Sequence, residues 1–129
     1  MNRRDYTPKV WKSSTERQLR GESSERLACE FLQAKGLVLL DQNVRYKMGE
    51  IDLVMKDKET LVFVEVRYRT KHAFGGAAAS VTYSKQRKII KAALHYQQKN
   101  APKSYMRFDV IAFEGNNEMQ WFKAAFNGF

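Results

Sequence analysis

The stretch that decides the fold is residues 50–67, EIDLVMKDKETLVFVEVR. Its first seven residues alternate polar and apolar side chains, and its last seven form a Val- and Phe-rich run, so both ends are typical of β-strands. Lys58 and Glu59 lie between the two ends, at the tip of a predicted two-residue hairpin. The stretch therefore predicts two adjacent antiparallel strands.

The register of this hairpin decides where its acidic residues lie. Counting outward from the turn places Asp52 opposite Glu65, and Glu50 opposite Arg67, all on one face. Opposed carboxylates destabilise a sheet by tenths to about 1 kcal/mol, so the pair needs a compensating cation, and a divalent metal ion is the obvious candidate. A turn that differs by one residue would instead point Asp52 or Glu65 to solvent. Glu65 interrupts a run typical of a strand buried on both faces, where a carboxylate must be paired or bind a metal, and this favours the first alternative.

Composition limits the class of protein. The chain has 129 residues, 43% of them hydrophobic, which fits one domain with an adequate core. Its net charge of +9 favours polyanionic partners, with nucleic acid first and an anionic membrane surface second. The sequence shows neither an apolar run of about 18 residues nor the apolar core of a signal peptide, so we expect a soluble cytoplasmic protein.

The side chains available as metal ligands narrow the choice of metal. Cys29 is the only cysteine, which excludes a disulfide framework and a thiolate zinc site, and its apolar helical setting predicts a packing role. His72 and His95 are too few and too far apart to indicate a zinc cluster. A metal site would therefore be an oxygen site suited to Mg²⁺ or Mn²⁺.

The order of predicted elements indicates a mixed α/β fold with helices on the faces of the sheet. Residues 1–14 are basic and show no sustained period, so we expect a flexible arm ahead of a single domain at residues 15–129. The predicted elements are a helix at about residues 15–35, strands at 37–44, 50–56 and 61–67, a helix at about 82–99, and strands at 105–113 and about 119–122. The first helix has the predicted apolar stripe Leu27, Ala28, Phe31 and Leu32, and the second is capped by Thr82 or Ser84.

Short motifs along this order resemble the PD-(D/E)xK nuclease superfamily, whose core is a restriction-endonuclease-like αβββαβ fold. The closer resemblance is to the YraN-type uncharacterised family, which is related to Holliday-junction resolvases, and it covers about residues 21–126. The motifs that carry it are Gly49-Glu50-Ile51-Asp52-Leu53, Phe63-Val64-Glu65-Val66-Arg67, Phe74-Gly75, Lys85-Gln86 and Arg107-Phe108-Asp109-Val110. Their joint order and spacing make the resemblance specific.

The resemblance implies a metal site in a nuclease-like domain at residues 15–129. Asp52, Glu65 and the backbone carbonyl of Val66 would bind the metal, and the resolvase-like members add a glutamate from the first helix, for which Glu25 is the best match. The alternative for Glu25 is an ordinary solvated helix residue. Gln86 is either a site residue or a buried amide satisfied by the backbone.

Position 67 departs from the superfamily pattern, which has lysine there. Arg67 stays protonated, so it cannot act as a general base, although it can orient a phosphate or stabilise charge in the transition state. Its structural alternative is an ion pair with Glu50. Asp109, in the last motif, is expected to make a hydrogen bond across the sheet.

Two functions remain open at this point. The first is a Mg²⁺- or Mn²⁺-dependent nuclease acting on DNA, with branched DNA as one substrate and Asp52, Glu65, Arg67 and Gln86 as catalytic residues. The second is a nucleic-acid-binding module that kept the fold after losing efficient chemistry, and a structural protein is a third reading that leaves the opposed carboxylates unexplained. The residues expected to contact the DNA backbone are Arg45, Lys47, Arg69, Lys71 and Lys85. Since resolvase relatives act as dimers, the resemblance also suggests a homodimer.

Overall fold

The computed structural model describes residues 16–68, 81–113 and 118–128. Its elements are α1 (Glu16–Ala34), β1 (Val38–Tyr46), β2 (Gly49–Asp57), β3 (Thr60–Tyr68), α2 (Tyr83–Asn100), β4 (Tyr105–Phe113) and β5 (Met119–Phe126). The predicted arm at residues 1–14 and the predicted loop at residues 69–80 lie outside the described residues. No helix in the described ranges has the length and apolar character needed to span a membrane.

The five strands form one mixed sheet in the order β1-β2-β3-β4-β5. Neighbouring strands are antiparallel except β3 and β4, which are parallel. A parallel pair needs a crossover connection, and α2 lies between these two strands in the chain. This confirms the predicted α/β class and is consistent with the restriction-endonuclease-like core.

The sheet has a separate apolar core on each face, as a sheet with helices on both faces requires. Helix α1 contributes Ala28 and Leu32 to one core, and α2 contributes Ile89 and Ala93 to the other. Leu27 was predicted to face inward with them, but it is 46% exposed. Residues 28, 29 and 32 set the buried face of α1, and Leu27 lies at its margin, so that part of the prediction is wrong.

Strand β3 is buried from Leu61 to Glu65, which confirms the prediction of a strand covered on both faces. The predicted two-residue turn before it is also confirmed, since Asp57 pairs with Thr60. Lys58 at the tip has a φ of 56°, the left-handed conformation that such hairpin turns require.

The last strand is longer than predicted, because it continues to Phe126. An irregularity in the pairing of β4 with β5, at Phe108 and Val110, accommodates extra residues in β5. Ala124 lies in this irregular part and has a φ of 52°. The irregularity interrupts the alternation of polar and apolar residues in β5. For this reason the second half of the strand could not be predicted from the sequence.

Candidate functional site

The candidate site forms where β2 and β3 separate. Their paired residues run from the turn to Leu53 and Val64, one pair short of Asp52. Residues two apart in a regular strand face the same side of the sheet. Ile51, however, packs in the core that α2 covers, whereas Leu53 packs in the core that α1 covers. Asn43 lies across from Asp52 in the β1 register and has a φ of 50°. The alternation of the sheet is therefore interrupted at Asp52.

The interruption brings the Asp52 carboxyl group between the two separating strands. The backbone N–H of Val66 donates a hydrogen bond of 2.8 Å to Asp52 Oδ2, so a side chain takes the place of the next ladder bond. Glu65 follows Val64 on β3, and it lies close enough to Asp52 for the negative charge of Asp52 to act on it.

The pKa values of both carboxyl groups are raised above their ordinary values. Burial raises the pKa of Asp52, and the hydrogen bond from the Val66 N–H opposes that rise. Burial and then the negative charge of Asp52 raise the pKa of Glu65 from 4.5 to about 7. Near neutral pH both the protonated and the ionised form of Glu65 are therefore populated.

Two cationic side chains compensate Glu65 from different elements. Arg67 Nη1, on β3, lies 3.5 Å from Glu65 Oε2, and Lys85 Nζ, on α2, lies 3.5 Å from the same oxygen. Position 67 lacks the lysine of the superfamily pattern, yet a lysine reaches the glutamate from the neighbouring helix. Lys85 was predicted to contact the DNA backbone, and its contact with Glu65 was not predicted.

The predicted ion pair between Glu50 and Arg67 is wrong. Glu50 pairs instead with Arg45, its cross-strand neighbour in β1, at 4.0 Å between Nε and Oε1. Both of these side chains are largely exposed, so the pair contributes little to stability. The hairpin count failed here because β2 and β3 separate before Glu50 and Arg67 can meet.

The donor set fits a hard divalent cation. Asp52 and Glu65 offer carboxylate oxygens, the ligands that Mg²⁺ and Mn²⁺ prefer, and a divalent charge would stabilise the ionised form of both groups. Arg67 and Lys85 limit the negative charge of the metal-free pair. Both carboxyl groups have raised pKa values. A bound cation would lower these pKa values, because it stabilises the ionised form of each group.

Glu25 is not brought into this pair. It lies on α1, which packs on the face of the sheet opposite to α2, and its Oε1 atom is buried. In the parts of the chain that the structure describes, no group of three or more His, Cys, Asp and Glu side chains is arranged to hold a metal. The role of Glu25 as a third ligand stays a prediction.

The start of α2 is built to hold Lys85 in place. Thr82 is the N-cap, and its hydroxyl oxygen accepts the backbone N–H of Lys85 at 3.1 Å. The amide nitrogen of Gln86 donates to the carbonyl oxygen of Val81 at 2.9 Å. The amide nitrogen of Gln86 is thus hydrogen-bonded to the backbone, which is one of the two alternatives predicted for this residue. Its catalytic role stays a prediction.

Helix α2 carries cations and no acidic residue. Its outward residues include Arg87, Lys88 and Lys91, which are exposed. The β1–β2 hairpin packs on this helix, because a Cβ added at Gly49 would lie 2.5 Å from the Lys88 carbonyl oxygen. The rings of Tyr46 and His95 also touch, with centroids 4.4 Å apart.

This packing places the predicted DNA-contacting residues of the hairpin beside the basic helix. Lys47 and Arg45 are exposed, and Arg45 already has a counter-charge in Glu50. Arg69 and Lys71, also predicted to contact DNA, lie outside the described residues. The basic surface therefore includes Lys47 and the α2 cations, of which only Lys85 was predicted to contact DNA.

Asp109 has a structural role, although it lies on β4 opposite Val64, the residue before Glu65. Arg107 donates two hydrogen bonds to it, at 2.9 and 3.0 Å, and a third to Asp57 at 3.0 Å. Trp121 Nε1 and the Ala124 N–H donate to Asp109 at 2.9 Å each. The predicted hydrogen bond across the sheet is confirmed, and it fixes the irregular part of β5.

Two tyrosines near the site were also missed. Tyr68 follows Arg67 at the end of β3 and is 60% exposed, and Tyr83 precedes Lys85 in the first turn of α2 and is 74% exposed. Their positions beside two motif cations were visible in the sequence. Their exposure was not, because it depends on how β3 and α2 end.

Comparison with known proteins gives a consistent family assignment. The uncharacterised protein family UPF0102 matches residues 24–113. A UPF0102 protein of Aeromonas hydrophila subsp. hydrophila is 52% identical over 110 residues, covering 83% of this chain and 84% of the relative. The UPF0102 protein YraN of Salmonella agona is 50% identical over 110 residues, covering 83% of each chain. A UPF0102 protein of Nitrosococcus oceani is 46% identical over 112 residues, covering 83% of this chain and 90% of the relative.

Among solved structures, Pyrococcus furiosus SfsA in complex with Ca²⁺ aligns over 91% of this chain and 74% of that chain, with 10% identity and a TM-score of 0.34. That score is too low to bear on the fold, which rests on the sheet order and the two helix-covered faces.

Proposed function

We propose that this chain, which belongs to the uncharacterised protein family UPF0102, is a Mg²⁺- or Mn²⁺-dependent nuclease acting on DNA. The observation that carries the proposal is the Asp52–Glu65 pair, in which the negative charge of Asp52 acts on the buried Glu65 while Arg67 and Lys85 each lie 3.5 Å from Glu65 Oε2. A fold stabilises an acidic pair of this kind poorly unless a cation binds there. Hydrolysis would add water at phosphorus and break one P–O ester bond, giving a phosphate monoester and a hydroxyl group.

The two carboxylates would hold the cation. The Val66 N–H holds Asp52 Oδ2 in place, which leaves Oδ1 available to a cation. Glu65 gives up its proton near neutral pH and then offers its oxygens. When bound, Mg²⁺ or Mn²⁺ supplies Lewis acidity and positive charge at the phosphate.

The cationic residues would position the phosphate. Arg67 is half-buried and always protonated, so it can donate hydrogen bonds to a phosphate oxygen but cannot accept a proton. The Lys85 side chain is 42% exposed, so its ammonium group can contact Glu65 and still reach an approaching phosphate. The row of cations on α2 then extends this contact along the nucleic-acid backbone.

Metal binding is tested by calorimetry and thermal melting with Mn²⁺. We expect Mn²⁺ to raise the melting temperature of the wild type, because it binds the native carboxyl pair and not the unfolded chain. Asp52→Asn should abolish this effect. Glu50→Gln is the matched control, because Glu50 is exposed two residues away on the same strand and should leave Mn²⁺ binding intact. Equal affinity in the wild type and Asp52→Asn would refute the site.

Catalysis is tested by cleavage of linear, flapped and four-way DNA with each metal. Arg67→Lys should retain or increase cleavage, since lysine still reaches the phosphate, and Arg67→Ala should lose it. DNA binding without metal-dependent cleavage, in both the wild type and Arg67→Lys, would replace the nuclease by the nucleic-acid-binding module. The nucleic-acid-binding module is a second candidate because Arg67 stays protonated and cannot replace the lysine of the superfamily pattern as a general base.

The DNA surface is tested by the salt dependence of binding. Each lost phosphate contact should reduce the slope of log affinity against log salt by about 1. The double variant Lys88→Ala and Lys91→Ala should therefore lower the slope by about 2. Lys58→Ala is the matched control, since Lys58 lies in the β2–β3 turn at the far end of the hairpin from Asp52. An unchanged slope in the double variant would remove α2 from the interface.

A further inference from the structure

Two exposed tyrosines lie within two residues of the site cations in the chain, one on each side of the sheet. Tyr68 directly follows Arg67 and stacks on Phe113, with ring centroids 6.4 Å apart and planes inclined by 12°. Phe113 belongs to the core under α1, so Tyr68 lies on that face. Tyr83 lies in the first turn of α2, which covers the other face.

Each ring is close in the chain to a cation that contacts Glu65, since Tyr68 follows Arg67 by one residue and Tyr83 precedes Lys85 by two. Arg67 and Lys85 both lie 3.5 Å from Glu65 Oε2. Successive strand residues, and helix residues two apart, point in different directions, so each tyrosine would meet a nucleotide that adjoins the one whose phosphate the cation holds. Large aromatic rings are normally buried in part, so a ring that is 74% exposed, as Tyr83 is, costs the fold burial that it would otherwise gain. Its position beside the phosphate-binding cations offers a use for that exposure.

The Tyr83 ring is also supported in one orientation. The guanidinium carbon of Arg87 lies 6.0 Å from its centroid, in the range of a cation–π contact. Arg87 follows Tyr83 by one helical turn, so it supports the ring and adds a positive charge. A ring with a cation beside it is the arrangement that binds a nucleotide through its base and its phosphate together.

From these contacts we propose that Tyr83 and Tyr68 form a stacking site for unpaired bases on either side of the bound phosphate. The base pairs of an intact duplex are stacked on one another and offer no free face to a side chain, whereas unpaired bases do. The substrate class is thus DNA with a single-stranded segment at the phosphate that the site binds. This inference rests on the proposed nucleic-acid substrate, and it specifies which form of DNA the same site takes.

Binding is measured by fluorescence anisotropy in EDTA, so that neither metal nor cleavage contributes. The probes are a labelled single strand of about 12 nucleotides, within the site sizes known for such surfaces, and the blunt duplex of the same strand. Stacking contributes about 1–3 kcal/mol per base, so Tyr83→Ala should weaken single-strand binding by about 5- to 100-fold. Duplex affinity should stay within about twofold, and Tyr83→Phe should bind both probes like the wild type.

Tyr105 provides the matched control. It is 75% exposed, as Tyr83 is, but it begins β4 opposite Thr60, at the other end of the sheet from Glu65. Tyr105→Ala should leave both affinities unchanged. Tyr68 stacks on the core residue Phe113, so Tyr68→Ala is compared with the wild type only if thermal melting shows that this variant is folded. If it is not folded, Tyr83→Ala alone decides the test.

The outcomes separate this inference from the proposed function. Equal losses of single-strand and duplex affinity in Tyr83→Ala, no loss at all, or an equal loss in Tyr105→Ala would overturn the stacking site. A wild type that binds neither probe would overturn both the stacking site and the nucleic-acid substrate. Selective loss in Tyr83→Ala without metal-dependent cleavage by the wild type would support the stacking site and refute the nuclease alone.

Discussion

Replacing Glu65 by glutamine should stabilise the metal-free protein, because its ionised form is unfavourable where it lies. Glu65 is 5% exposed, and its pKa rises from 4.5 to about 7 on folding. The folded state therefore holds the proton more tightly than the unfolded state. Stability is unaffected by this group below about pH 4.5, falls as pH rises toward 7, and stays reduced above that.

The size of the effect follows from the two pKa values. One pKa unit corresponds to about 1.4 kcal/mol, so ionised Glu65 costs the fold about 3 kcal/mol at pH 8 and less than about 1 kcal/mol at pH 5. Glutamine keeps the shape and carries no charge, so it escapes this cost. For a chain of this size about 1 kcal/mol shifts the melting temperature by roughly 4 °C, and Glu65→Gln should gain roughly 10 °C over the wild type at pH 8.

The assay is thermal melting of both proteins at pH 5 and pH 8 in EDTA, with urea unfolding to obtain the free energies. Glu59→Gln is the control, since Glu59 is exposed in the β2–β3 turn and its replacement should follow the wild type at both pH values. Saturating Mn²⁺ at pH 8 should reverse the order, because only the wild type keeps both carboxylates. An advantage of Glu65→Gln that is the same at both pH values, or absent, would refute the assignment of a strained acidic pair.

Two further predictions concern the framework around the site. Gly49→Ala should destabilise the fold by about 1–3 kcal/mol in urea unfolding, because its Cβ would lie 2.5 Å from the Lys88 carbonyl oxygen and α2 would have to shift. Asp109→Asn should cost about 3 kcal/mol or more, because it removes a buried charge to which three residues donate hydrogen bonds. Asp57→Asn should cost only about 1 kcal/mol, because the half-buried Asp57 accepts one bond from Arg107. Similar losses in the two aspartate variants would contradict the second prediction.

The parts of the fold that could be predicted from the sequence are those fixed by local patterns. The turn at Lys58 and Glu59 follows from its flanking alternation, and the Thr82 cap from helix-start chemistry, so both were found. The separation of β2 from β3 at Asp52 was not, since it depends on the left-handed Asn43 in a third strand. Local spacing therefore identified the acidic pair but not the way its two carboxyl groups meet.

The cationic side of the site was harder to predict for a similar reason. Lys85 was recognised as a motif residue, but its contact with Glu65 depends on where α2 packs on the sheet. That position is set by the close approach of Gly49 to the backbone at Lys88, a contact between residues far apart in the chain. Gly49 allows this close approach because it has no Cβ. The sequence shows only that a glycine is present in a motif, and it does not show which backbone packs against it.

The two acidic residues that are buried in the described part of the chain show why Glu65, and not burial as such, marks the site. Asp109 is completely buried, yet it accepts four hydrogen bonds from three donor residues, one of them an arginine that binds it with two nitrogens. Its charge is satisfied by the fold, so removing it should only destabilise. Glu65 faces another carboxyl group, and its cations lie at 3.5 Å, outside the ordinary length of a charged hydrogen bond. A carboxylate that the fold leaves incompletely compensated is the one that a metal and a phosphate would complete, and for this reason Glu65→Gln and Asp109→Asn are expected to change stability in opposite directions.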